Sequence, residues 1–234
     1  KRVGEAIVRA FLRDGWSVVA HVHHEGDAVA DAAIKVVADF AMAGCAQRIF
    51  AAIKGRPPVR LLVNSAARFS FDGLGHARAD EFDAHMRVNA RAPMLLIEEL
   101  ARRHEGGGAL VVNLHDAKLA ARNPDFLSYT ISKYALAGLG EIAARALADR
   151  GIRVNAIAPA LMLPSGQQGT ENFEAVHKLN PLERGIEVGD VVSALRYLVD
   201  STGMTGQTLT LDGGQRYMGL ARDVQFLSPS GDGQ

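Results

Sequence analysis

The chain has 234 residues, of which 48% are hydrophobic, and its 26 lysines and arginines balance its 26 aspartates and glutamates. This length suits one α/β domain with a complete core, and the balanced charge gives no reason to expect a nucleic-acid partner. Cys45 is the only cysteine, so no internal disulfide can form, and no apolar run reaches the ~18 residues of a membrane span. We therefore expect a cytoplasmic protein without a membrane partner.

Helical and strand patterns alternate along the whole chain. Apolar residues recur at helical spacing from Val3 to Phe11, and short apolar runs bounded by glycine or proline are typical of buried strands. Further helices are predicted over residues 26–33, 41–54, 80–104, 129–148 and 190–200. The predicted strands span residues 16–21, 34–38, 59–63, 109–113, 151–158 and 205–214. Such alternation predicts a doubly wound parallel sheet of the Rossmann type, in a single domain over residues 1–227 with a disordered tail at 228–234.

The stretch between residues 113 and 133 carries the clearest chemical signal. Asp116 comes before a tyrosine and a lysine that are four residues apart, Tyr129 and Lys133, on a predicted helix. Residues four apart lie on one face of a helix, so Lys133 is expected to act on the Tyr129 hydroxyl. Because a nearby ammonium lowers the pKa of a phenol from its ordinary value of about 10, this pair predicts general acid–base catalysis.

This tyrosine–lysine pair, which follows a strand ending at Asn113 and a loop, resembles the site of the short-chain dehydrogenase/reductase family. The resemblance extends over nearly all of the chain. Most members of that family carry serine where Asp116 stands, whereas pteridine reductases and dihydromonapterin reductases carry aspartate. An aspartate can accept hydrogen bonds from the amino and ring N–H groups of a pterin, or carry a proton to a ring nitrogen. The resemblance implies a reductase that uses NADPH and takes a pterin as its substrate.

The start of the chain differs from the family pattern. In this family a first strand and a glycine-rich turn come before the first helix, and the amides of the turn hold the pyrophosphate of the cofactor. Lys1, Arg2 and Gly4 resemble the end of that turn. We expect the strand and the earlier glycines to belong to the full protein and to be missing from the sequence given.

The end of the second strand decides between the two nicotinamide cofactors in this family. Val22 stands where a carboxylate would bind the 2′-hydroxyl of NAD, and its neighbours are His21, His23 and His24. The absence of a carboxylate at Val22 favours NADPH, whereas the carboxylate of Glu25 favours NADH. A metal site built from those histidines is disfavoured because alternate strand residues face opposite ways, so no metal is expected. The cofactor-binding residues that the resemblance implies are Arg2, Gly4, His21, His23, His24, Asp39, Phe40, Asn64, Ser65, Ala66, Tyr129, Lys133, Pro159, Ala160 and Leu161.

The substrate side of the predicted site also follows from the resemblance. The implied substrate-binding residues are Arg2, Phe69, Asp116, Tyr129, Met162 and Leu163. In pteridine reductases an aromatic residue at the position of Phe69 stacks on the pterin, and the alternative is an aromatic ring that fills the edge of the core. Residues 161–173 are predicted to form a mobile loop over the substrate. Asn89 matches a helix asparagine that orders a water in the family's proton relay, and it completes the predicted catalytic set.

The resemblance implies hydride transfer from NADPH to a C=N carbon of a dihydropterin, of the dihydrobiopterin, dihydromonapterin or dihydrofolate class. Asp116 and Tyr129 would supply the proton, and the last strand and long helices would assemble a homotetramer. Two alternatives stay open. One is an NADPH-dependent carbonyl or 3-oxoacyl reductase that uses the same tyrosine and lysine, and the other is a cofactor-binding scaffold or sensor without turnover. His115 has no assigned role.

Overall fold

A computed structural model of the chain describes residues 2–164 and 168–227. The strands are β1 (Val19–Val22), β2 (Ile34–Val37), β3 (Leu61–Asn64), β4 (Ala109–Leu114), β5 (Ile152–Pro159) and β6 (Thr208–Leu211). The helices are α1 (Arg2–Arg13), α2 (Cys45–Ala52), α3 (Ala79–Met86), α4 (Ala92–Arg103), α5 (Leu127–Ala146), α6 (Thr170–His177) and α7 (Val188–Asp200). The tail predicted to be disordered, residues 228–234, lies outside the described residues. No helix within the described ranges is long and apolar enough to cross a membrane.

All paired strands run parallel, and helices cover both faces of the sheet. Alternate residues of β4 enter two separate apolar layers, so that Val111 packs with α2, α4 and α5, whereas Val112 packs with α1 and α7. Every residue of β4 is buried, as expected for a parallel strand that is covered on both sides. The predicted doubly wound α/β fold is confirmed.

The parallel strands form two separate groups. β1 pairs with β2, and β3 to β6 pair in sequence order, but β1 and β3 do not pair with each other. An apolar cavity of about 500 Å³ separates them, lined by Ala20 and Val22 on one side, Leu61 and Val63 on the other, and Phe11 of α1. The facing edges of β1 and β3 therefore have no strand partner among the described residues. The strand expected ahead of Lys1 stays a prediction.

Most predicted elements agree with the observed ones to within four residues at each end, but the helix predicted over residues 26–33 is wrong. Two turns replace it, closed by hydrogen bonds from Asp27 N–H to the His24 carbonyl and from Ala33 N–H to the Ala30 carbonyl. The Asp27 carboxylate also accepts the His24 N–H at 3.2 Å. A segment of eight residues gains little from helical hydrogen bonds, and an aspartate offers its backbone a competing local partner.

Two further differences lie near the predicted site. The helix predicted over residues 80–104 contains a π-helical turn, Arg87–Arg91. Pro93, which has no N–H to donate, comes directly after that turn, in the first turn of α4. In addition, α6 begins at Thr170, inside the predicted loop 161–173, of which residues 165–167 lie outside the described part of the chain.

Candidate active site

A cavity of about 600 Å³ opens at the carboxyl ends of the strands, where parallel α/β sheets bind their ligands. It brings together most of the residues predicted from the sequence. Those that line it are Arg2, Gly4, His21, His23, His24, Ser65, Ala66, Phe69, Asp116, Tyr129, Lys133, Pro159, Ala160, Leu161, Met162 and Leu163. Four predicted residues do not line it: Asp39, Phe40, Asn64 and Asn89.

Asp116, Tyr129 and Lys133 meet at the end of β4. The Tyr129 hydroxyl donates a hydrogen bond to Asp116 Oδ2 at 2.8 Å, and Asp116 Oδ1 accepts the backbone N–H of Lys118 at 2.9 Å. Lys133 Nζ donates to the Leu114 carbonyl at 2.6 Å and lies 5.6 Å from the centre of the Tyr129 ring. The aspartate is therefore the direct partner of the tyrosine, and the lysine is anchored on the strand beneath them.

The electrostatics of the three groups differ from the prediction. Burial raises the pKa of Tyr129 well above 10, and the negative charge of Asp116 and the hydrogen bond to it act in the same direction. Burial also raises the pKa of Asp116 and lowers that of Lys133 from 10.5 to about 8. The expectation that Lys133 lowers the pKa of the phenol is wrong for this structure, because the aspartate, not the lysine, contacts the hydroxyl. Tyr129 is a neutral donor.

The start of α5 is fixed by a residue that the sequence did not point to. The buried Ser128 donates its backbone N–H to Asp72 Oδ1 at 2.9 Å and its hydroxyl to Asp72 Oδ2. A carboxylate at a helix N-terminus satisfies free N–H groups and interacts favourably with the helix dipole. Phe126, just before the helix, has a left-handed backbone with φ of 55°, a conformation that is strained for a bulky residue. The position of Tyr129 therefore depends on a loop that is more than fifty residues away in the chain.

The predicted asparagines support the site from behind its surface. Asn89, in the π-helical turn, accepts the Arg68 N–H at 2.7 Å and donates to the Arg68 carbonyl and to the Ser132 hydroxyl, both at 2.9 Å. It thus joins the loop after β3 to α5. Asn64 donates to Asn113 Oδ1 at 2.8 Å and ties β3 to β4. The role of Asn89 in ordering a water stays a prediction.

The three histidines in and after β1 do not act as one cluster. His21 lies 2.7 Å from the Ala38 carbonyl and its ring stacks on Phe40 at 3.9 Å, so both residues are engaged in packing. His23 and His24 are exposed, with ring centres 4.0 Å apart, and His23 Nε2 lies 3.6 Å from Asp39 Oδ1. Residues 2–164 and 168–227 contain no group of three or more histidine, cysteine, aspartate or glutamate residues arranged to hold a metal.

Arg2 and the predicted aromatic residue both face the cavity. The Arg2 guanidinium donates to the Pro164 carbonyl at 2.6 Å and so spans from α1 to the loop after β5. Phe69 stacks on Phe126 at 4.4 Å and meets the Tyr129 ring edge-on at 4.7 Å, yet remains 37% exposed. Its ring therefore fills the edge of the core and lines the cavity at the same time.

Sequence reasoning missed one wall of the cavity. Lys118 of the loop after β4 and Arg222 and Asp223 near the end of the described chain line it. Lys118 and Asp223 form an ion pair of 3.2 Å although 105 residues separate them. No periodic pattern or spacing motif marks these residues, because their relation exists only in the folded chain. His115, also in the lining, is buried, and its Nε2 has no partner among the described residues.

Comparison with known proteins agrees with this fold and site. A model of the family described as enoyl-(acyl carrier protein) reductase matches residues 1–216. Dehydrogenase/reductase SDR family member 4 of Pongo abelii is 30% identical over an alignment of 231 positions, which covers 91% of this chain and 83% of that protein. The fold and site define an oxidoreductase with a nucleotide-binding sheet. The chain belongs to the family of the model that matches residues 1–216, which is part of the short-chain dehydrogenases/reductases.

Two relatives are named for the reduction of pterins or folates. The crystal structure of FolM alternative dihydrofolate reductase 1 from Brucella suis in complex with NADP is similar with a TM-score of 0.83 and 35% identity. The match covers 93% of this chain and 92% of that one. Dihydromonapterin reductase of Citrobacter koseri is 26% identical over an alignment of 223 positions, which covers 92% of each chain.

Proposed function

We propose that the chain is an NADPH-dependent reductase of dihydropterins. The observation that carries the proposal is the hydrogen bond from Tyr129 to Asp116, which places a carboxyl group of raised pKa in the cavity. A serine at this position could only hydrogen-bond a ketone oxygen, whereas a carboxyl group of raised pKa can protonate a ring nitrogen. The two relatives named for dihydrofolate and dihydromonapterin reduction support this reading.

The donors at the open end of the cavity fit NADPH. His23 and His24 are exposed beside Arg2, and cationic or hydrogen-bonding groups of this kind suit the 2′-phosphate. We assign Lys133 to the nicotinamide ribose, and the small residues Ser65 and Ala66 allow close approach of the backbone. NADPH supplies a hydride when it is bound. The Brucella suis relative, at 35% identity, was solved with NADP.

The residues of this chain supply and control the proton. Asp116 in its acid form donates to the substrate nitrogen, and the Tyr129 hydroxyl, 2.8 Å away, then stabilises the carboxylate that remains. The positive charge of Lys133 opposes the rise in the pKa of Asp116, so it favours the anion after the proton has left. Asn89 keeps its proposed role in holding a water of the relay.

The substrate surface is aromatic on one side and polar on the other. We propose that the exposed part of Phe69 stacks on the pterin ring, which adds about 0.5–1.5 kcal/mol beyond the burial of area. Met162 and Leu163 line the same cavity and would cover the other edge of the ring. Arg2, bonded to the Pro164 carbonyl, lines the same cavity, and we assign it to an oxygen of the substrate or to a phosphate of the cofactor.

The test is the oxidation of NADPH with a 7,8-dihydropterin, compared with dihydrofolate, an acetoacetyl thioester and a simple ketone. Rapid turnover of the dihydropterin that is lost in Asp116→Ser, while NADPH still binds, supports the proposal. If only the ketone or the thioester is reduced, and Asp116→Ser leaves that rate unchanged, the chain is a carbonyl reductase. If NADPH binds but no substrate is reduced, the chain is a cofactor-binding scaffold or sensor.

The carbonyl or 3-oxoacyl reductase remains the second candidate because Tyr129 and Lys133 alone suffice for it. Carbonyl reductase family member 4 of Danio rerio is 30% identical over 156 residues, which are 67% of this chain. For either activity we propose a homotetramer. The exposed apolar side chains on α5 support this, since Ile131, Tyr134 and Ile142 are 38%, 38% and 70% exposed in the single chain.

A further inference from the structure

One wall of the cavity is built by residues 215–227, here called the C-terminal segment. Two links hold it in place. The Arg222 guanidinium makes a two-pronged ion pair with the buried Asp125, at 2.7 and 2.9 Å, and the Asp223 N–H donates to the same carboxylate at 2.8 Å. Phe226 stacks on Phe126 at 5.7 Å. Two-pronged pairs of this kind fix geometry as well as adding energy, so the C-terminal segment presents its side chains at defined positions.

Asp223 faces the cavity as half of a second ion pair. The buried Lys118 donates to Asp223 Oδ2 at 3.2 Å and also to Asn123 Oδ1. Lys118 is two residues from Asp116, whose carboxylate accepts its backbone N–H. Burial raises the pKa of Asp116, and the charge of Asp223 adds to that rise, which places the two carboxylates in one electrostatic environment. The pair therefore lies beside the proposed proton donor.

The cations on this wall are all neutralised. Lys118 pairs with Asp223, Arg222 pairs with Asp125, and Arg216 pairs with Asp212 at 3.2 Å. These pairs leave no lysine or arginine of the wall, within the described residues, free to bind a carboxylate of a ligand. A neutral hydroxyl group both donates and accepts, so it can bond to the remaining lone pairs of Asp223 and to the third proton of the Lys118 ammonium.

We propose that Asp223, together with Lys118, is a specificity-determining pair that hydrogen-bonds the hydroxyl groups on the side chain of a dihydropterin. The pair favours a short, neutral, hydroxylated substituent over the dicarboxylate tail of dihydrofolate. This inference rests on the proposed function and narrows its substrate class. Asp125 and Arg222 act as positioning residues, because they hold Asp223 without touching the substrate.

The test compares three substrates that share the reacting ring: 7,8-dihydromonapterin with its hydroxyl groups, 6-methyl-7,8-dihydropterin without them, and 7,8-dihydrofolate. Asp223→Asn keeps the shape of the side chain and an oxygen that can accept the Gln225 N–H, as Asp223 Oδ1 does at 3.2 Å, but it removes the charge. A hydrogen bond to a charged group contributes about 1.5–3 kcal/mol, so kcat/KM for dihydromonapterin should fall by about ten-fold or more, mainly through KM. The value for the methyl compound should stay within about two-fold, and that for dihydrofolate should rise because Lys118 is no longer neutralised.

Two further variants complete the design. Lys118→Met leaves Asp223 unpaired and should lower kcat/KM for dihydrofolate relative to the methyl compound. Asp14→Asn breaks an exposed pair with Arg196 outside the cavity lining and serves as the matched control, with all three substrates unchanged. NADPH affinity, measured by calorimetry, should be the same for Asp223→Asn and the control, while Asp223→Asn should unfold at a lower temperature because the buried Lys118 loses its charged partner.

The outcomes separate the two proposals. If the unsubstituted full-length protein reduces none of the three compounds, the proposed function fails and the specificity role falls with it. If it reduces them but Asp223→Asn changes all three equally, the function stands and the specificity role is refuted. Equal loss with lower thermal stability would show that Asp223 acts only through the fold, which also refutes the inference.

Discussion

Replacing Lys133 by methionine should abolish turnover and yet make the protein more stable. Lys133 is 3% exposed, and burial lowers the pKa of its ammonium from 10.5 to about 8. At ~1.4 kcal/mol for each pH unit of that difference, keeping the charge inside the protein at pH 7 lowers the free energy of unfolding by about 3 kcal/mol. Methionine removes this cost, but it also removes the 2.6 Å hydrogen bond from Lys133 to the Leu114 carbonyl, and this loss lowers the free energy of unfolding by about 1 kcal/mol. Methionine is of similar length and adapts to irregular space. The net expectation is a gain of about 2 kcal/mol.

The sign of the pH dependence follows from the direction of the pKa change. Between pH 8 and 10.5 the folded protein releases the Lys133 proton while the unfolded chain keeps it. The stability of the wild type therefore rises with pH in this window, whereas Lys133→Met lacks this contribution. The advantage of the variant should be about 2 kcal/mol at pH 7 and close to zero near pH 10.

Urea unfolding followed by circular dichroism at pH 7 and pH 10 measures both values, and NADPH oxidation with a dihydropterin measures the activity. Lys178→Met is the control, because Lys178 is exposed and its loss should leave stability and turnover unchanged. A variant at Lys133 that is less stable than the wild type at pH 7, or a difference that is the same at both pH values, would refute the reasoning. Near-normal turnover would remove Lys133 from the mechanism.

Two other predictions concern histidines. Burial lowers the pKa of His115 from 6.5 to about 4. Between pH 6.5 and 4 the imidazole is therefore protonated in the unfolded chain but neutral in the folded protein, and the wild type loses stability as the pH falls. His115→Leu should lose less stability between pH 6.5 and 4 in urea titrations, and a parallel loss in both proteins would contradict this. His24→Arg should tighten the binding of NADPH, but not of NADH, in calorimetry; an equal change for both cofactors would show that His24 does not face the 2′-phosphate.

The parts of the site that could be predicted from the sequence are those fixed by local geometry. Tyr129 and Lys133 share a face of α5 because residues four apart on a helix lie on one side. The short apolar run before Asn113 predicts a buried parallel strand, because a strand covered by helices on both faces is apolar throughout. The cavity at the strand ends then follows from the topology. These features need no knowledge of distant contacts.

The parts that could not be predicted depend on contacts between distant residues. Asp223 reaches Lys118 across 105 residues, and Arg222 reaches Asp125 across 97, with no repeat or spacing to signal either pair. The raised pKa of Tyr129 results from burial and from a contact with Asp116, neither of which a helical pattern contains. The helix predicted over residues 26–33 is wrong for a local reason, because the Asp27 carboxylate accepts the His24 N–H and supports a turn there.

Within the described residues, the cavity between β1 and β3 separates the β1–β2 pair from the β3–β6 group of strands. Among the described residues, no ladder of backbone hydrogen bonds joins the two groups of strands, and the β1–β2 pair contacts the rest through side-chain packing and side-chain hydrogen bonds, such as that from Arg48 Nε to the Val37 carbonyl at 2.7 Å. In amide hydrogen exchange on the 234-residue chain, β1 and β2 should open together at a lower free energy than β4 and β5, whose amides lie in a continuous ladder. The active-site cavity has walls from both parts, with His21 in β1 on one side and Asp116 after β4 on the other. A dinucleotide that contacts both walls would link the two groups of strands. Its binding should therefore slow amide hydrogen exchange most strongly in the β1–β2 pair.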